Sequence, residues 1–313
     1  MSLLHRALPL VAALLGAALL GSPALAGGFP RPDPVFGDAG IALPMVRVPG
    51  DPGRLYVRVD DPALGSRVFF VDTAFSRTTC DDELAEDLGL EVRRTARRSR
   101  GELGSVRLGR IVLPDFQIGG HTIPGLACAV RDLDSTSSVV STTDLPVAGV
   151  LGANLLARFV VIIDPVGGTM TLLDPDEHGL DEGPGVVRLR RERGVGPRIR
   201  LPIAVDGREI WPLLDTGATR THLDARRLDL PLVSERQGVA RASGSTNSEP
   251  TTFRIHQAQD IELAGQHLGP VRVIDRHRAA CTPGLAGQDL LGGFVLTIDT
   301  RHRRVKVEVP EGD

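Results

Sequence analysis

The sequence of 313 residues is poor in aromatic side chains and has no strong excess of either charge. It contains one Trp, one Tyr and nine Phe, which counts against the binding of bases or sugars by aromatic stacking. Lys and Arg total 36 against 39 Asp and Glu, so the formal net charge is −3. This near balance predicts neither a nucleic-acid partner nor attachment to an anionic membrane surface.

Cysteine is also scarce, so at most one intramolecular disulfide can form among Cys80, Cys128 and Cys281. We expect Cys80 to pair with Cys128, since both fall in the first half of the chain, although the pairing stays open at this point. The cysteines do not have the spacing of a zinc site, and the scattered histidines include no His-Glu-x-x-His pair. We therefore expect no metal and no cofactor.

Several other catalytic motifs are missing. No Gly-x-Ser-x-Gly segment occurs, which argues against a serine hydrolase with a nucleophile elbow. Neither Gly-x-Gly-x-x-Gly nor a phosphate-binding Lys loop follows a strand-like segment, which argues against a nucleotide-dependent enzyme.

The N-terminus has the pattern of an export signal. Arg6 supplies positive charge, Ala7–Leu20 is almost wholly apolar, and Ala24-Leu25-Ala26 resembles a cleavage site. The apolar run is short for a membrane span, so we expect no stable span; an uncleaved anchor is the alternative. Residues 1–26 are thus predicted to be a signal peptide, and the protein to be exported to the periplasm or secreted.

An apolar run that ends in Asp-Thr occurs twice, as Val68–Ser76 and as Trp211–Thr219. A strand-like segment precedes each copy, and a short helical pattern follows at Asp81–Leu88 and at Leu223–Leu228. Polar segments and further strand-like runs come next in the same order. The chain therefore contains an internal repeat.

The repeat closes on a second shared segment, Val147–Leu156 in the first half and Pro283–Leu291 in the second, each followed by a hairpin pattern. Asp174–Gly196 lacks periodicity and is interpreted as the connection between the two halves of the repeat. The expected organisation is a signal peptide over 1–26, a first lobe over 27–180, a linker over 181–196 and a second lobe over 197–313.

These residues resemble the aspartic proteases of the retropepsin and pepsin type over nearly the whole mature chain. Asp215-Thr216-Gly217-Ala218 matches the loop that carries the family's aspartate, while Val150-Leu151-Gly152 and Leu285-Ala286-Gly287 match the segment that braces this loop. The resemblance implies an all-β fold of two similar lobes, a few short helices and a cleft between the lobes. The only tyrosine, Tyr56, precedes the first Asp-Thr, which favours a repeated retropepsin-like lobe over a close pepsin relative.

The first loop departs from the family pattern at two positions. Ala74 stands where the family has glycine, and Phe75 stands where it has a small residue. Alanine keeps the backbone N–H that bonds the aspartate, provided that the backbone does not need a positive φ. Phe75 either crowds the cleft or packs into the core.

The resemblance implies that Asp72 and Asp215 form a catalytic pair that shares one proton and activates a water. The supporting loop residues are Thr73, Ala74, Thr216, Gly217 and Ala218, and the bracing residues are Gly152 and Gly287. The two threonines are expected to bond across the lobe junction. The predicted function is an aspartic endopeptidase that acts on peptides or unfolded proteins, as a monomer with an intrachain pseudo-dimer.

Other interpretations remain at this stage. Each aspartate could simply cap a turn, and the glycine-rich segments could be tight turns. The protein could be a non-catalytic peptide-binding or scaffold protein with the same fold, or its second lobe could pair with its own copy in another chain. The basic run Arg93–Arg100 is interpreted as a solvated loop, or as a flap that favours acidic peptides.

Overall fold

The computed structural model describes residues 33–37, 40–46, 53–101, 104–131, 133, 147–192, 196–241, 248–275 and 284–310. The predicted signal peptide over 1–26 and Cys281 lie outside the described residues. No helix within the described ranges is long and apolar enough to cross a membrane.

The first half of the chain, called the N-terminal lobe, contains ten strands and two short helices. The strands are β1 (Leu43–Val46), β2 (Tyr56–Asp61), β3 (Gly65–Asp72), β4 (Thr79–Asp81), β5 (Arg93–Gly101), β6 (Gly104–Ile118), β7 (His121–Arg131), β8 (Val147–Gly152), β9 (Val160–Asp164) and β10 (Thr169–Leu173). The helices are α1 (Asp82–Asp87) and α2 (Ala153–Leu156).

The connection carries two short strands, β11 (Val186–Arg188) and β12 (Arg190–Arg191). The second half, called the C-terminal lobe, has one helix, α3 (Gln288–Leu291). Its strands are β13 (Ile199–Arg200), β14 (Ile203–Val205), β15 (Arg208–Ile210), β16 (Leu213–Leu214), β17 (His222–Leu223), β18 (Leu232–Arg241), β19 (Ser248–Ala258), β20 (Ile261–Leu263), β21 (Gln266–His267), β22 (Val271–Asp275), β23 (Gly284–Ala286), β24 (Val295–Asp299) and β25 (Arg304–Glu308).

Strand pairing repeats between the lobes. In the N-terminal lobe the order is β3-β8-β4-β7-β6-β5, and in the C-terminal lobe it is β16-β23-β17-β22-β19-β18. The parallel pairs β3·β8 and β16·β23 place Asp72 opposite Gly152 and Leu214 opposite Ala286. Each Asp-Thr segment is therefore paired with its lobe's second shared segment, as a duplicated fold requires.

One continuous sheet joins the lobes through the antiparallel pair β9·β24, in which Val161 lies opposite Ile298 and Ile163 opposite Leu296. All four of these side chains are buried in a core shared by both lobes. Burial of an aliphatic side chain contributes about 1.5–3 kcal/mol, so this seam holds the lobes in a fixed relation.

The predicted all-β class is confirmed, since strands dominate and only three short helices occur in the described ranges. The predicted helix near Asp81–Leu88 is confirmed as α1, whose N-terminus is capped by the Asp81 carboxylate accepting from the Glu83 N–H at 3.1 Å. The predicted counterpart at Leu223–Leu228 is wrong. A single turn forms there, and Asp229, with φ of 56°, ends it.

Cys80 and Cys128 form a disulfide with a Cα–Cα distance of 5.5 Å, as expected from the sequence. The repeat places Leu223 and Val273 at the corresponding positions of the C-terminal lobe, where both are fully buried. The same site is thus cross-linked in one lobe and packed with apolar side chains in the other.

Candidate active site

Two buried aspartates lie at the carboxyl ends of the equivalent strands β3 and β16. Asp72 is the last residue of β3 and Asp215 follows β16. Their exposed fractions are 6% and 9%, which is low for carboxylates. Each carboxylate accepts hydrogen bonds from its own loop: Asp72 from the N–H of Ala74 at 2.8 Å and of Phe75 at 2.9 Å, and Asp215 from the N–H of Gly217 at 3.0 Å.

Gly217 brings the two carboxylates to one place. A Cβ added to Gly217 would lie 2.4 Å from Cγ of Asp72, while the N–H of the same glycine donates to Asp215. Both aspartates therefore contact one residue from opposite lobes. The glycine is needed because a Cβ would collide with the Asp72 carboxylate, and not for its backbone conformation, since its φ is not positive.

Ala74 occupies the position that corresponds to Gly217. Its φ is not positive either, so the alanine is accommodated without backbone strain and its N–H still bonds Asp72. The backbone at Ala74 thus does not need a positive φ, which was the condition for alanine to replace the glycine. Substitution of the family's glycine leaves this hydrogen bond in place.

The two threonines bond across the lobe junction in a symmetric set of four contacts. The hydroxyl of Thr73 donates to the carbonyl of Leu214 at 2.7 Å and accepts from the N–H of Thr216 at 3.1 Å. The hydroxyl of Thr216 donates to the carbonyl of Val71 at 3.0 Å and accepts from the N–H of Thr73 at 3.0 Å. All these groups are buried, so each bond fixes one loop against the other.

The glycines of the second shared segments pack against the backbones of the loops. A Cβ on Gly152 would lie 2.4 Å from the carbonyl carbon of Arg77, and a Cβ on Gly287 would lie 2.5 Å from the carbonyl oxygen of Arg220. The interpretation as simple tight turns is therefore wrong, because both glycines are needed for contact with the aspartate loops. In the C-terminal lobe, the carbonyl of Ala218 also accepts a hydrogen bond from the N–H of Gln288 at 2.8 Å, which joins the aspartate loop to the residue after Gly287.

Each loop has a further supporting pair, of which sequence reasoning missed the threonine. Thr78 Oγ1 lies 3.1 Å from Oδ1 of Asn154, and Thr221 donates to the Asp289 carboxylate at 2.7 Å. Each threonine stands six residues after an aspartate of the pair, and each partner stands two residues after a bracing glycine. This spacing is identical in both halves of the sequence and could have identified these residues.

Burial raises the pKa of Asp72 to about 6, because the ionised carboxylate is poorly solvated. The N–H groups of Ala74 and Phe75, and then the positive charges of Arg54 and Arg198, act in the opposite direction. The sequence did not point to either arginine. With its raised pKa, Asp72 holds a proton in weakly acidic solution, where an ordinary aspartate is ionised.

Arg198 links the connection between the lobes to the first loop. It donates to the carbonyl of Ala74 at 3.4 Å and forms an ion pair with Glu192. The same Glu192 pairs with Arg200 at 2.6 Å. The three charged side chains are mostly buried, so they hold positive charge close to Asp72.

Phe75 packs against a small apolar cluster that includes Tyr56, Phe70 and Val150. The guanidinium of Arg131 lies 5.5 Å from the centre of its ring. The aromatic side chain is therefore supported by the N-terminal lobe. Phe75 remains partly exposed, so it packs against this small cluster without entering the main core.

No group of three or more His, Cys, Asp or Glu side chains able to hold a metal ion occurs within the described ranges. The geometry instead provides two buried carboxylates fixed by backbone donors, which is suited to proton transfer.

Residues 56–155 match a family model of aspartyl proteases. The matched range contains Asp72, Ala74, Phe75 and Gly152, so it covers the first loop and its bracing segment. This match supports an aspartyl protease relationship for the N-terminal lobe.

The comparisons with solved structures and with curated proteins carry no argument about function. The crystal structure of basic 7S globulin from soybean is similar with a TM-score of 0.43 and 13% identity, over 87% of this chain and 95% of that chain. No curated protein matches this chain.

Proposed function

We propose that the protein is an exported aspartic endopeptidase in which Asp72 and Asp215 act together on a water. The observation that carries this proposal is the meeting of the two carboxylates at Gly217, between loops joined by Thr73 and Thr216. The family match over residues 56–155 supports a peptidase in general.

Two adjacent buried carboxylates do not both ionise readily, so the pair holds one proton over a range of pH. The ionised member takes a proton from the water, whose oxygen attacks the scissile carbonyl. The protonated member donates to the carbonyl oxygen as the tetrahedral intermediate forms. Transfer of a proton to the amine then accompanies cleavage of the C–N bond, and no covalent intermediate is needed.

The two long hairpins β5–β6 and β18–β19 occupy equivalent positions in their lobes. We infer that they cover an extended peptide held between the lobes, one hairpin from each side. An extended strand satisfies its backbone groups by pairing with such hairpins, which fits a peptide or unfolded protein substrate. The disulfide between Cys80 and Cys128 is consistent with an oxidising compartment, either the periplasm or the exterior.

Cleavage of an unfolded protein, with and without each aspartate, tests the proposal. We expect cleavage that is fastest in acid and is inhibited by pepstatin. Asp72→Asn and Asp215→Asn should each lower kcat/KM by at least about a thousandfold, because each removes a proton-transfer group. The exposed Asp60 on β2 offers a control, and Asp60→Asn should leave the rate unchanged. Cleavage that persists in both active-site variants would refute the proposal.

A second candidate is peptide binding without catalysis, and the replacement of glycine by Ala74 next to Phe75 is the observation that favours it. In that case a peptide would bind to the wild-type protein and remain intact at every pH. Pairing of Asp215 with its copy in another chain is the third possibility. A mass measurement in solution distinguishes it, since an intrachain pair of aspartates is complete in a monomer.

A further inference from the structure

A cavity of about 710 Å³ lies beside the connection between the lobes, away from the aspartate loops. Four arginines contribute to its lining: Arg188, Arg190, Arg303 and Arg304. One acidic residue, Glu209, lines it as well. The cavity is therefore strongly basic, in a protein whose overall net charge is −3.

Two of these arginines have no acidic partner within the part of the chain that the structure describes. They are Arg190 and Arg303. The guanidinium of Arg190 lies 3.6 Å from the centre of the Trp211 ring, and the indole N–H of Trp211 donates to Glu209 at 2.9 Å. Stacking of this kind fixes the orientation of Arg190 while leaving its N–H groups available for an anion.

The other two arginines share Glu182 as an acidic partner, and Arg304 also donates to the carbonyl of Leu180 and lies 3.8 Å from Asp181. Arg188 and Arg304 lie 2.6 Å and 3.5 Å from the same oxygen of Glu182. Glu182 and Arg188 are highly exposed, and exposed ion pairs contribute little free energy. Exchange of Glu182 for another carboxylate would therefore cost little.

Edge strands of three separate sheets contribute to the lining. Strand β11 is the first strand of the 13-stranded sheet, β12 of the 8-stranded sheet and β15 of the 4-stranded sheet. Within the described ranges, each has a paired neighbour on one side only. An edge strand presents N–H and C=O groups that can pair with an added strand.

We propose that this cavity is an accessory binding site for an extended acidic segment of a protein substrate. The segment pairs its backbone with one of the edge strands, and its carboxylates bond to Arg190 and Arg303. Edge strands favour a peptide over a small anion, because only a peptide uses both the edge and the arginines. The site rests on the proposed function for the origin of the segment, but its binding can be measured without catalysis.

Binding is measured on the Asp215→Asn variant, so that no probe is cleaved. The probe is a fluorescent peptide of about ten residues that alternates Glu and Val, a length typical of a long strand. We expect binding that weakens with added salt. Replacement of both Arg190 and Arg303 by Gln should weaken it at least about tenfold, because two charge-assisted bonds are lost. Arg58→Gln, on an exposed arginine of β2, is the matched control and should have no effect.

Two further probes test the form of the ligand. A peptide with Lys in place of Glu should not bind, and a peptide methylated on alternate backbone nitrogens should bind much more weakly. Equal binding of the methylated peptide would overturn the strand-pairing proposal, as would tighter binding of a single-stranded oligothymidylate. Arg303→Gln alone serves as a second variant if the double variant fails to fold, and should also weaken binding of the Glu peptide.

The outcomes for the two proposals are separable. If the wild-type protein cleaves no peptide but the Asp215→Asn variant binds the acidic probe through Arg190 and Arg303, the accessory site stands and the endopeptidase proposal fails. If cleavage depends on both aspartates but the acidic probe does not bind, the accessory site is refuted alone.

Discussion

The two aspartate loops have the same supports but differ in the residues that follow the Asp-Thr pair, which are Ala74 and Phe75 in one loop and Gly217 and Ala218 in the other. Each loop has a threonine bonded across the junction, a second threonine six residues after the aspartate, and a bracing glycine. The difference nearest the carboxylates is that between Ala74 and Gly217. Only Gly217 lies so close to the opposite carboxylate that a Cβ would collide with it. The comparison teaches that glycine is required here by a neighbour from the other lobe, and not by backbone conformation.

The largest effect that would break or sharpen this comparison is expected from Gly217→Ala. The added methyl group would displace the Asp72 carboxylate from the pair, and a displacement of about 1 Å can cost about a hundredfold in rate. We expect a loss of that size in kcat/KM. Ala74→Gly is the matched change in the other loop and should alter kcat/KM by less than about threefold, since the N–H bond to Asp72 stays. Equal rates for Gly217→Ala and the wild-type protein would contradict the assigned role.

An intermediate effect is expected from the junction threonines. Thr73→Val and Thr216→Val each remove a hydroxyl that makes two bonds and leave a buried carbonyl and N–H without a partner. We expect each change to lower the free energy of unfolding by about 2–4 kcal/mol, measured by urea denaturation. Serine at either position should restore most of the loss. A much smaller cost in one lobe would show that the junction is not symmetric in energy.

An effect that depends on pH is expected from Asp72. Its pKa is raised from 3.8 to about 6, so the protonated form stabilises the fold fully below the unfolded value, and this stabilisation is lost as pH rises through about 6. Asp72→Asn should lack that decline and be more stable than the wild-type protein above pH about 6. Parallel stability curves for the two proteins from acid to neutral pH would contradict the assignment.

Replacement of Arg198 tests the influence of a nearby charge on the pKa of Asp72. Its charge lowers the pKa of Asp72, so Arg198→Gln should raise that pKa and move the alkaline limb of the activity profile to higher pH by a fraction of a unit. Arg58→Gln, which lies on β2 and pairs with Asp60, should leave the profile where it is. A shift to lower pH in Arg198→Gln would contradict the proposed influence of this arginine.

Much of the fold could be predicted from the sequence because the signals were local and repeated. Continuous apolar runs marked β3 and β9, alternation of apolar residues marked β25, and the acidic first turn marked α1. Other elements lacked a local signal. The described residues of the polar segments 97–105 and 240–252 lie in the hairpins β5–β6 and β18–β19, and β11 and β12 lie within the predicted linker. These polar strands form because their backbone groups pair with a neighbouring strand, which for β11 is the distant β25, and not because of an apolar pattern of their own.

Part of the candidate site was equally visible in the sequence. The duplicated Asp-Thr segments pointed to Asp72, Asp215, Thr73 and Thr216, and the second repeat pointed to the bracing glycines. Arg54 and Arg198 each begin the strand-like stretch that precedes an Asp-Thr segment. Their effect on Asp72 could not be found in the sequence, because both charges act on it through space. The packing of Phe75 also depended on side chains from several strands.

The sequence by itself determined the all-β class and the two Asp-Thr segments, because periodicity, turn residues and short motifs are local properties of a chain. Only the tertiary structure decided how Ala74 is tolerated, why Gly217 is needed and where the arginines lie. Those properties depend on distances between residues of opposite lobes, and such distances are set by the pairing of β9 with β24 and by packing of the shared core.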